Sequence, residues 1–145
     1  MIKPWLAIPL MLALAVAIDA EVPRIQAEPN LEKRSKLALD NADQALKLAR
    51  DAYEKGDLPN TAGLLAEVKA SVELADASLK STGKKASRSP KAFKYAELRT
   101  SELLRRMESF AEDMNFADRP MIEPVKATVQ HVHDALLDAI MEKSK

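Results

Sequence analysis

The sequence contains no cysteine, and this absence excludes several kinds of chemistry at once. Disulfides, thiolate nucleophiles, iron–sulfur clusters, covalently attached c-type haem and cysteine-bound zinc all need the missing side chain. Attachment of lipid to a cysteine, as in bacterial lipoproteins, is excluded for the same reason. A domain of this kind must therefore be stabilised by its apolar core alone.

Glycine is scarce, with 3 residues, and aromatic side chains make up only 4% of the chain. Alanine, leucine, glutamate and lysine dominate instead, a composition that favours helices. The 22 basic and 22 acidic residues give a net charge of zero, so no overall field attracts nucleic acid. The 145 residues are enough for one domain. We therefore predict an all-α protein that does not bind nucleic acid.

The first 20 residues differ from the rest of the chain. A short positive start, MIK, is followed by the apolar run PWLAIPLMLALAVAI and then by a polar sequence. This is the layout of a secretory signal peptide, and we expect cleavage after Ala17 or Ala20. The run has about 15 residues, fewer than the roughly 20 that span a bilayer, and Pro9 interrupts it. We predict a signal peptide over 1–20, export to the periplasm or cell exterior, and no transmembrane segment in the mature chain.

Prolines divide the remaining chain into four segments of similar length. Pro29, Pro59, Pro90 and Pro120 follow one another at intervals of 30 or 31 residues. Because the first turn of a helix tolerates proline, each is expected to open a helix. The expected capping residues are Asp57, Ser89 and Asp118.

Apolar residues within each segment recur every three or four positions, which is the spacing of one helix face. The first segment has alanines on this face, and their small side chains would let a neighbouring helix approach closely. The predicted core positions are Ala38, Ala42, Ala45, Ala49 and Ala52; Leu65, Val68, Val72, Ala75 and Leu79; Phe93, Ala96, Thr100, Leu103, Met107, Phe110 and Met114; and Ile122, Val125, Val129, Val132, Leu136 and Ile140.

Two of the links between these segments are short, namely KGDLPN and NFADRP. Short links join antiparallel neighbours, so segments one and two, and segments three and four, should each form a helical hairpin. We predict that residues 29–145 form an antiparallel up-down four-helix bundle of two hairpins. Residues 21–28 are expected to form a flexible mature N-terminus.

The two histidines of the chain, His131 and His133, lie two residues apart on the fourth predicted helix. At 100° per residue they point in different directions and cannot face one site. His131 is predicted to face solvent, and His133 to lie at the edge of the apolar stripe. The Glu-x-x-His pattern of di-iron bundles and the His-Glu-x-x-His pattern of zinc proteases are both absent. We predict no metal site built from histidines.

A small carrier that binds haem or a soft metal is an alternative. A small exported four-helix bundle resembles cytochromes of the b562 type in architecture only, and haem there would need a histidine and a methionine across the bundle. If the last two helices fold back near residue 117 or 118, His133 lies beside Leu103, and Met107 lies about one turn away. Met107, Met114 and Met121 recur every seven residues and could offer thioethers to Cu(I), although such methionines more often fill a core. His133 and Met107 are the candidate cofactor-binding residues, and the prediction is that no cofactor is bound.

The strongest local charge bias lies in GKKASRSPKAFKYAELR, residues 83–99. This stretch holds six basic residues and one acidic residue, whereas residues 100–118 have a net charge of −3. It is either a solvated link or a docking patch for an anionic partner, such as phospholipid headgroups, a polyanion or an acidic protein surface. The candidate patch residues are Lys84, Lys85, Arg88, Lys91 and Lys94.

Catalysis has no support in the sequence. There is no glycine-rich phosphate loop and no serine nucleophile elbow, and the predicted helix faces that meet in the core are apolar apart from Thr100. We predict that the protein is not an enzyme but a protein-interaction or structural module of the periplasm or cell exterior. Envelope docking through the basic link is a further alternative. The alanine face would serve equally inside one bundle or against a second copy, so the sequence leaves the oligomeric state open.

Overall fold

Five α-helices and one 3-10 helix make up the regular structure of residues 21–142, the part of the chain that the computed structural model describes. They are α1 (Glu21–Gln26), α2 (Leu31–Glu54), α3 (Leu58–Ser81), α4 (Pro90–Asp113), the 3-10 helix (Phe116–Met121) and α5 (Glu123–Glu142). No strand occurs within this range, which confirms the predicted all-α class. None of these helices combines the length and the apolar character needed to cross a bilayer. The predicted signal peptide, residues 1–20, lies outside the described residues.

The helices pack as two hairpins, α2 with α3 and α4 with α5. Between the hairpins, α2 lies beside α4 and α3 lies beside α5. Arg106 pairs with Asp43 and Arg50 pairs with Asp113, so residue numbers rise together along α2 and α4. These two neighbours therefore run parallel, and the antiparallel packing predicted for the whole bundle describes only the pairs within each hairpin.

The α3–α4 link explains this arrangement. In a ring of antiparallel neighbours α4 would lie beside α3, but here α3 and α4 touch little and occupy opposite corners. Residues 82–89 connect those corners, and eight residues are long enough to cross one end of the bundle. The first part of the basic stretch, residues 83–89, therefore runs across an end of the molecule, and the rest of the stretch begins α4.

The apolar stripes form the core as the sequence predicts. All five alanines of α2 are buried, which lets α2 and α3 pack closely, and the Asn41 amide donates a hydrogen bond across this seam to Ser71 Oγ at 2.9 Å. The stripes of α3 and α4 are buried at every predicted position. In the last stripe, the positions from Ile122 to Leu136 are buried, whereas Ile140 remains partly exposed.

Two of the four prolines, Pro59 and Pro90, open a helix as expected, whereas Pro29 precedes Asn30, the N-cap of α2, and lies outside that helix. Pro59 lies in the first turn of α3, where Asp57 caps the helix by accepting a hydrogen bond from the Asn60 N–H at 3.2 Å. Pro90 opens α4. Pro120 instead lies inside the 3-10 helix, and α5 begins three residues later with Pro124 in its first turn. The expectation that Pro120 opens a helix is therefore wrong, because a tighter helix occupies the start of the returning segment.

The sequence suggests a flexible segment at residues 21–28, and the structure places a short helix within it. Residues 21–26 form α1, whose Ile25 is buried against the bundle. The Arg34 side chain donates a hydrogen bond from Nε to the Glu28 carbonyl oxygen at 2.8 Å. An apolar anchor and a polar anchor thus hold this segment on the start of α2.

Candidate functional site

One end of the bundle, here called the basic end, collects the charge bias of the sequence. It consists of the α3–α4 loop (residues 82–89) with the starts of α2 and α4 and the ends of α3 and α5. Gly83 adopts φ +66° after α3, a conformation that favours glycine, and Lys84 N donates to Thr82 Oγ1 at 3.1 Å. Arg88 N donates to the Lys85 carbonyl oxygen at 2.9 Å, and Ala86 is buried. The loop therefore has a defined backbone that presents its basic side chains to solvent.

All five residues of the predicted patch are exposed at this end. Two of them have acidic partners. Lys84 Nζ lies 3.4 Å from Glu32 Oε1, and Lys94 Nζ lies 3.5 Å from Glu97 Oε2. The other three, Lys85, Arg88 and Lys91, have no ion-pair partner within residues 21–142. The structure thus divides the patch into two lysines engaged with the protein and three basic side chains that are available to a partner.

The Glu32 carboxylate ties the loop to the start of α2. The Ser89 hydroxyl donates a hydrogen bond to it, and this bond is the main cause that lowers the pKa of Glu32, with burial opposing and Lys84 assisting. The sequence predicts that Ser89 caps α4, but its hydroxyl makes no capping bond and donates to Glu32 on α2 instead. The loop is therefore fastened to α2 through a charged group.

Three of the grooves formed by residues 21–142 lie at the basic end, each between a different pair of the helices α2 to α5. The α4–α5 groove, of 540 Å³, is lined by Ala86, Pro90, Lys91, Phe93, Lys94, Tyr95, Leu98 and Ile140. The α3–α5 groove, of 560 Å³, is lined by Asp76, Leu79, Lys80, Lys84, Lys85, Ala86, Ser87, Phe93, Ala135, Leu136, Ala139 and Glu142. The α2–α4 groove, of 370 Å³, is lined by Asn30, Glu32, Lys33, Ser35, Lys36, Lys91, Ala92 and Tyr95. Four of the five patch residues line these grooves, and Arg88 lies outside all three.

Tyr95 connects α2 and α4 close to these grooves. Its hydroxyl donates to Asp40 and accepts a bond from Arg99 Nε at 3.1 Å, and the Arg99 guanidinium lies 5.2 Å from the centre of the tyrosine ring. Burial, helped by the Asp40 carboxylate, raises the pKa of Tyr95 against the opposing effect of Arg99. The periodicity predicts none of these contacts, because they join helices through side chains outside the apolar stripes.

The histidines occupy the positions that helical geometry predicts. His131 is exposed. The His133 side chain is 13% exposed, and its Nε2 lies 3.7 Å from Glu97 Oε1, beyond hydrogen-bond distance. Neither ring nitrogen of His133 has a hydrogen-bond partner in the described part of the chain.

The structure does not bring His133 and Met107 together. Residues that face each other in an antiparallel hairpin are equally far along the chain from its reversal. His133 lies beside Glu97, and Arg119 donates to the Glu112 carbonyl oxygen at 3.5 Å. Both pairs are centred near Asn115, so the chain reverses there rather than at 117 or 118. The 3-10 helix already belongs to the returning segment, which shifts the pairing between α4 and α5. Met107, fully buried, lies ten residues beyond Glu97 on α4, or about 15 Å at 1.5 Å per residue. One haem iron cannot span that separation.

No group of three histidine, aspartate or glutamate side chains placed to hold a metal ion occurs within residues 21–142. The polar side chain in the core stripe of α4, Thr100, donates its hydroxyl to the Ala96 carbonyl oxygen at 2.8 Å. Comparisons with protein families, with curated proteins and with solved structures find no match for this chain. The basic end and its grooves are therefore the features of the described structure that bear on function.

Proposed function

We propose that this chain is an exported, non-catalytic helical protein that docks through its basic end onto anionic phospholipid headgroups. One observation carries the proposal: Lys85, Arg88 and Lys91 are exposed together at one end and lack ion-pair partners in the described structure. The predicted signal peptide, residues 1–20, supports export to a compartment bounded by membrane.

Unpaired basic side chains suit this role because they can meet phosphate groups without first breaking an ion pair. Each lysine or arginine near an anionic membrane contributes about 1 kcal/mol, and the contribution declines within a Debye length of the surface. Lys84 and Lys94 would have to leave Glu32 and Glu97, so their net contribution is smaller. We therefore assign the main attraction to Lys85, Arg88 and Lys91.

A fixed loop backbone also favours binding. The hydrogen bonds within the loop, the buried Ala86 and the bond from Ser89 to Glu32 hold the loop before any partner arrives. A preorganised surface loses less conformational entropy on binding than a flexible one. The broader prediction of a protein-interaction module remains the alternative, and the experiment below distinguishes it.

Vesicle sedimentation tests the proposal. The protein is purified after export, with its first residue established by mass spectrometry, and mixed with vesicles of equal parts phosphatidylglycerol and phosphatidylcholine or of phosphatidylcholine alone. We expect binding only to the anionic vesicles, weakening as salt shortens the Debye length from about 10 Å at 0.1 M to about 3 Å at 1 M. The combined substitution Lys85→Glu, Arg88→Glu and Lys91→Glu should lower the affinity at least about 100-fold.

A matched variant distinguishes binding through a local patch from binding that depends only on the net charge of the protein. Lys47, Lys55 and Arg105 are also exposed, lie away from the basic end and have no ion-pair partner within the described range. Substituting these three with glutamate changes the net charge equally and should leave most of the binding intact. Equal losses in the two variants would contradict a patch at the basic end. Absence of binding to anionic vesicles, with a specific protein recovered on crosslinking, would favour the protein-interaction module instead.

A further inference from the structure

The α4–α5 groove exposes apolar surface that continues outward from the core. Ile140 belongs to the same stripe as the buried Leu136, yet it remains partly exposed and lines this groove. Leu98, on the facing side of α4, is 50% exposed and lines it too. The groove therefore extends the core into solvent, and a ligand that covers it gains by burying existing apolar surface.

The charged side chains that line this groove are all basic. Lys91 and Lys94 are its charged residues, and neither aspartate nor glutamate occurs in the lining. The α3–α5 groove differs, because Asp76 and Glu142 accompany its lysines. The α4–α5 groove thus joins an apolar wall to a cationic rim, and Lys91 has no acidic partner within the described structure.

We infer that the α4–α5 groove binds a single-chain anionic amphiphile, a long-chain fatty acid. Its alkyl chain would lie against Phe93, Leu98 and Ile140. Its carboxylate would meet Lys91, and Lys94 would contribute less because it lies 3.5 Å from Glu97. The volume of 540 Å³ lies within the range of about 300–1,000 Å³ typical of small-molecule sites. The inference extends the proposed docking, on which it rests for the choice of an anionic ligand.

An NMR titration with dodecanoate, kept below its critical micelle concentration, tests the inference. We expect saturable binding of one molecule per chain, with amide shifts concentrated in residues 86–98 and 136–142. Each methylene removed from the ligand should weaken binding by up to about fourfold, because each contributes buried apolar surface. Dodecyltrimethylammonium has an alkyl chain one carbon longer and a positive charge, and it should still bind at least about tenfold more weakly.

Two exposed positions provide variants that leave the core intact. Leu98→Ser should weaken dodecanoate binding about tenfold by removing part of the apolar wall, and Lys91→Gln should weaken it about three- to tenfold by removing a charged partner. The matched controls on α2 are Leu48→Ser, where the leucine is 44% exposed, and Lys47→Gln. Both controls should bind dodecanoate like the parent chain, and circular dichroism should show unchanged helix in all four variants.

The outcomes separate this inference from the docking proposal. Equal binding of the anionic and cationic amphiphiles, or shifts spread over the whole protein, would overturn the fatty-acid site. Binding to anionic vesicles without saturable dodecanoate binding would also overturn it while leaving the docking intact. Stoichiometric dodecanoate binding that depends on Leu98 and Lys91 supports the site, and without vesicle binding it would assign the basic end to a soluble fatty acid instead of a membrane.

Discussion

The two ends of this bundle use their polar groups in different ways. The opposite end, here called the turn end, contains the α2–α3 link (residues 55–57) and the 3-10 helix. There the Tyr53 hydroxyl donates to Asp118 at 2.8 Å and accepts a bond from Asn115 N at 2.9 Å, while its ring packs edge-on against Phe110. Arg50 and Asp113 form an ion pair beside it. At the basic end, Lys85, Arg88 and Lys91 have no such partners in the described structure, and three grooves open between the helices.

The difference shows which end of the molecule is available to a ligand. At the turn end the Tyr53 hydroxyl bonds and the Arg50–Asp113 ion pair join the two hairpins, so these contacts stabilise the fold. Unpaired charge and exposed apolar surface at the basic end add little to stability and are available to a ligand. Substitutions at the turn end should therefore change the free energy of unfolding, and substitutions at the basic end should change binding.

The largest expected effect comes from the Phe110→Ala substitution at the turn end. Phe110 is buried and contacts Tyr53, so its truncation should lower the free energy of unfolding by about 3–5 kcal/mol. Leu98→Ala at the basic end should change it by less than about 0.5 kcal/mol, because half of that side chain already faces solvent. Urea unfolding followed by circular dichroism measures both values. Similar losses in the two variants would contradict the division between the ends.

A smaller loss of stability near neutral pH is expected for Tyr53→Phe, because the hydroxyl makes two hydrogen bonds. Its pH dependence is more specific. The Asn115 N–H lowers the pKa of Tyr53, but burial and the Asp118 carboxylate outweigh it and the pKa is raised. Stability from this group is therefore present below the ordinary tyrosine pKa of about 10 and is lost as pH rises through the raised value.

Urea unfolding between pH 8 and 11 tests this prediction, with the pH range chosen around the tyrosine pKa of about 10. The alkaline loss of stability should be smaller in Tyr53→Phe than in the parent chain. It should be smaller still when Tyr95, whose pKa is also raised, is replaced by phenylalanine as well. An unchanged alkaline loss in the double variant would show that the tyrosine bonds do not couple the hairpins.

The smallest effect concerns the attachment of the loop at the basic end. The lowered pKa of Glu32 means that its contribution is present above the ordinary glutamate pKa and is lost as pH falls through the lowered value. Amide hydrogen exchange in residues 82–89 should therefore accelerate in acid, relative to the intrinsic rate, before the bundle unfolds. Glu32→Gln should show faster exchange already at neutral pH. Glu108→Gln, at an exposed position on α4, is the control and should exchange like the parent chain.

Periodicity in the sequence predicts which face of each helix is buried, since that face follows from spacing along one chain segment. Every core position that it predicts in α2 to α4 is buried, although buried residues such as Leu64 and Ala111 lie outside the predicted stripes. It also predicts the exposure of His131 and the boundary position of His133. It does not determine which helices become neighbours. The placement of α2 beside α4 depends on the diagonal link and on pairs such as Asp43 with Arg106, which local spacing does not show.

The same limit applies to the candidate sites. The basic patch is visible in the sequence because its charges are clustered along the chain, whereas the α4–α5 groove joins Leu98 to Ile140 from separate helices. The pairing of His133 with Met107 fails because the position of the reversal near Asn115 sets the register of the hairpin. A register of this kind follows from tertiary packing, and the NFADRP link alone does not specify it.

The most direct test of a binding site at the basic end is amide hydrogen exchange of the purified protein with and without anionic vesicles, comparing the two ends of the bundle. We predict that vesicles slow amide exchange in residues 82–92 and leave the exchange rates of residues 114–122 unchanged. Added salt should reverse the protection. Protection confined to residues 114–122, or equal protection at both ends, would contradict the assignment of binding to the basic end.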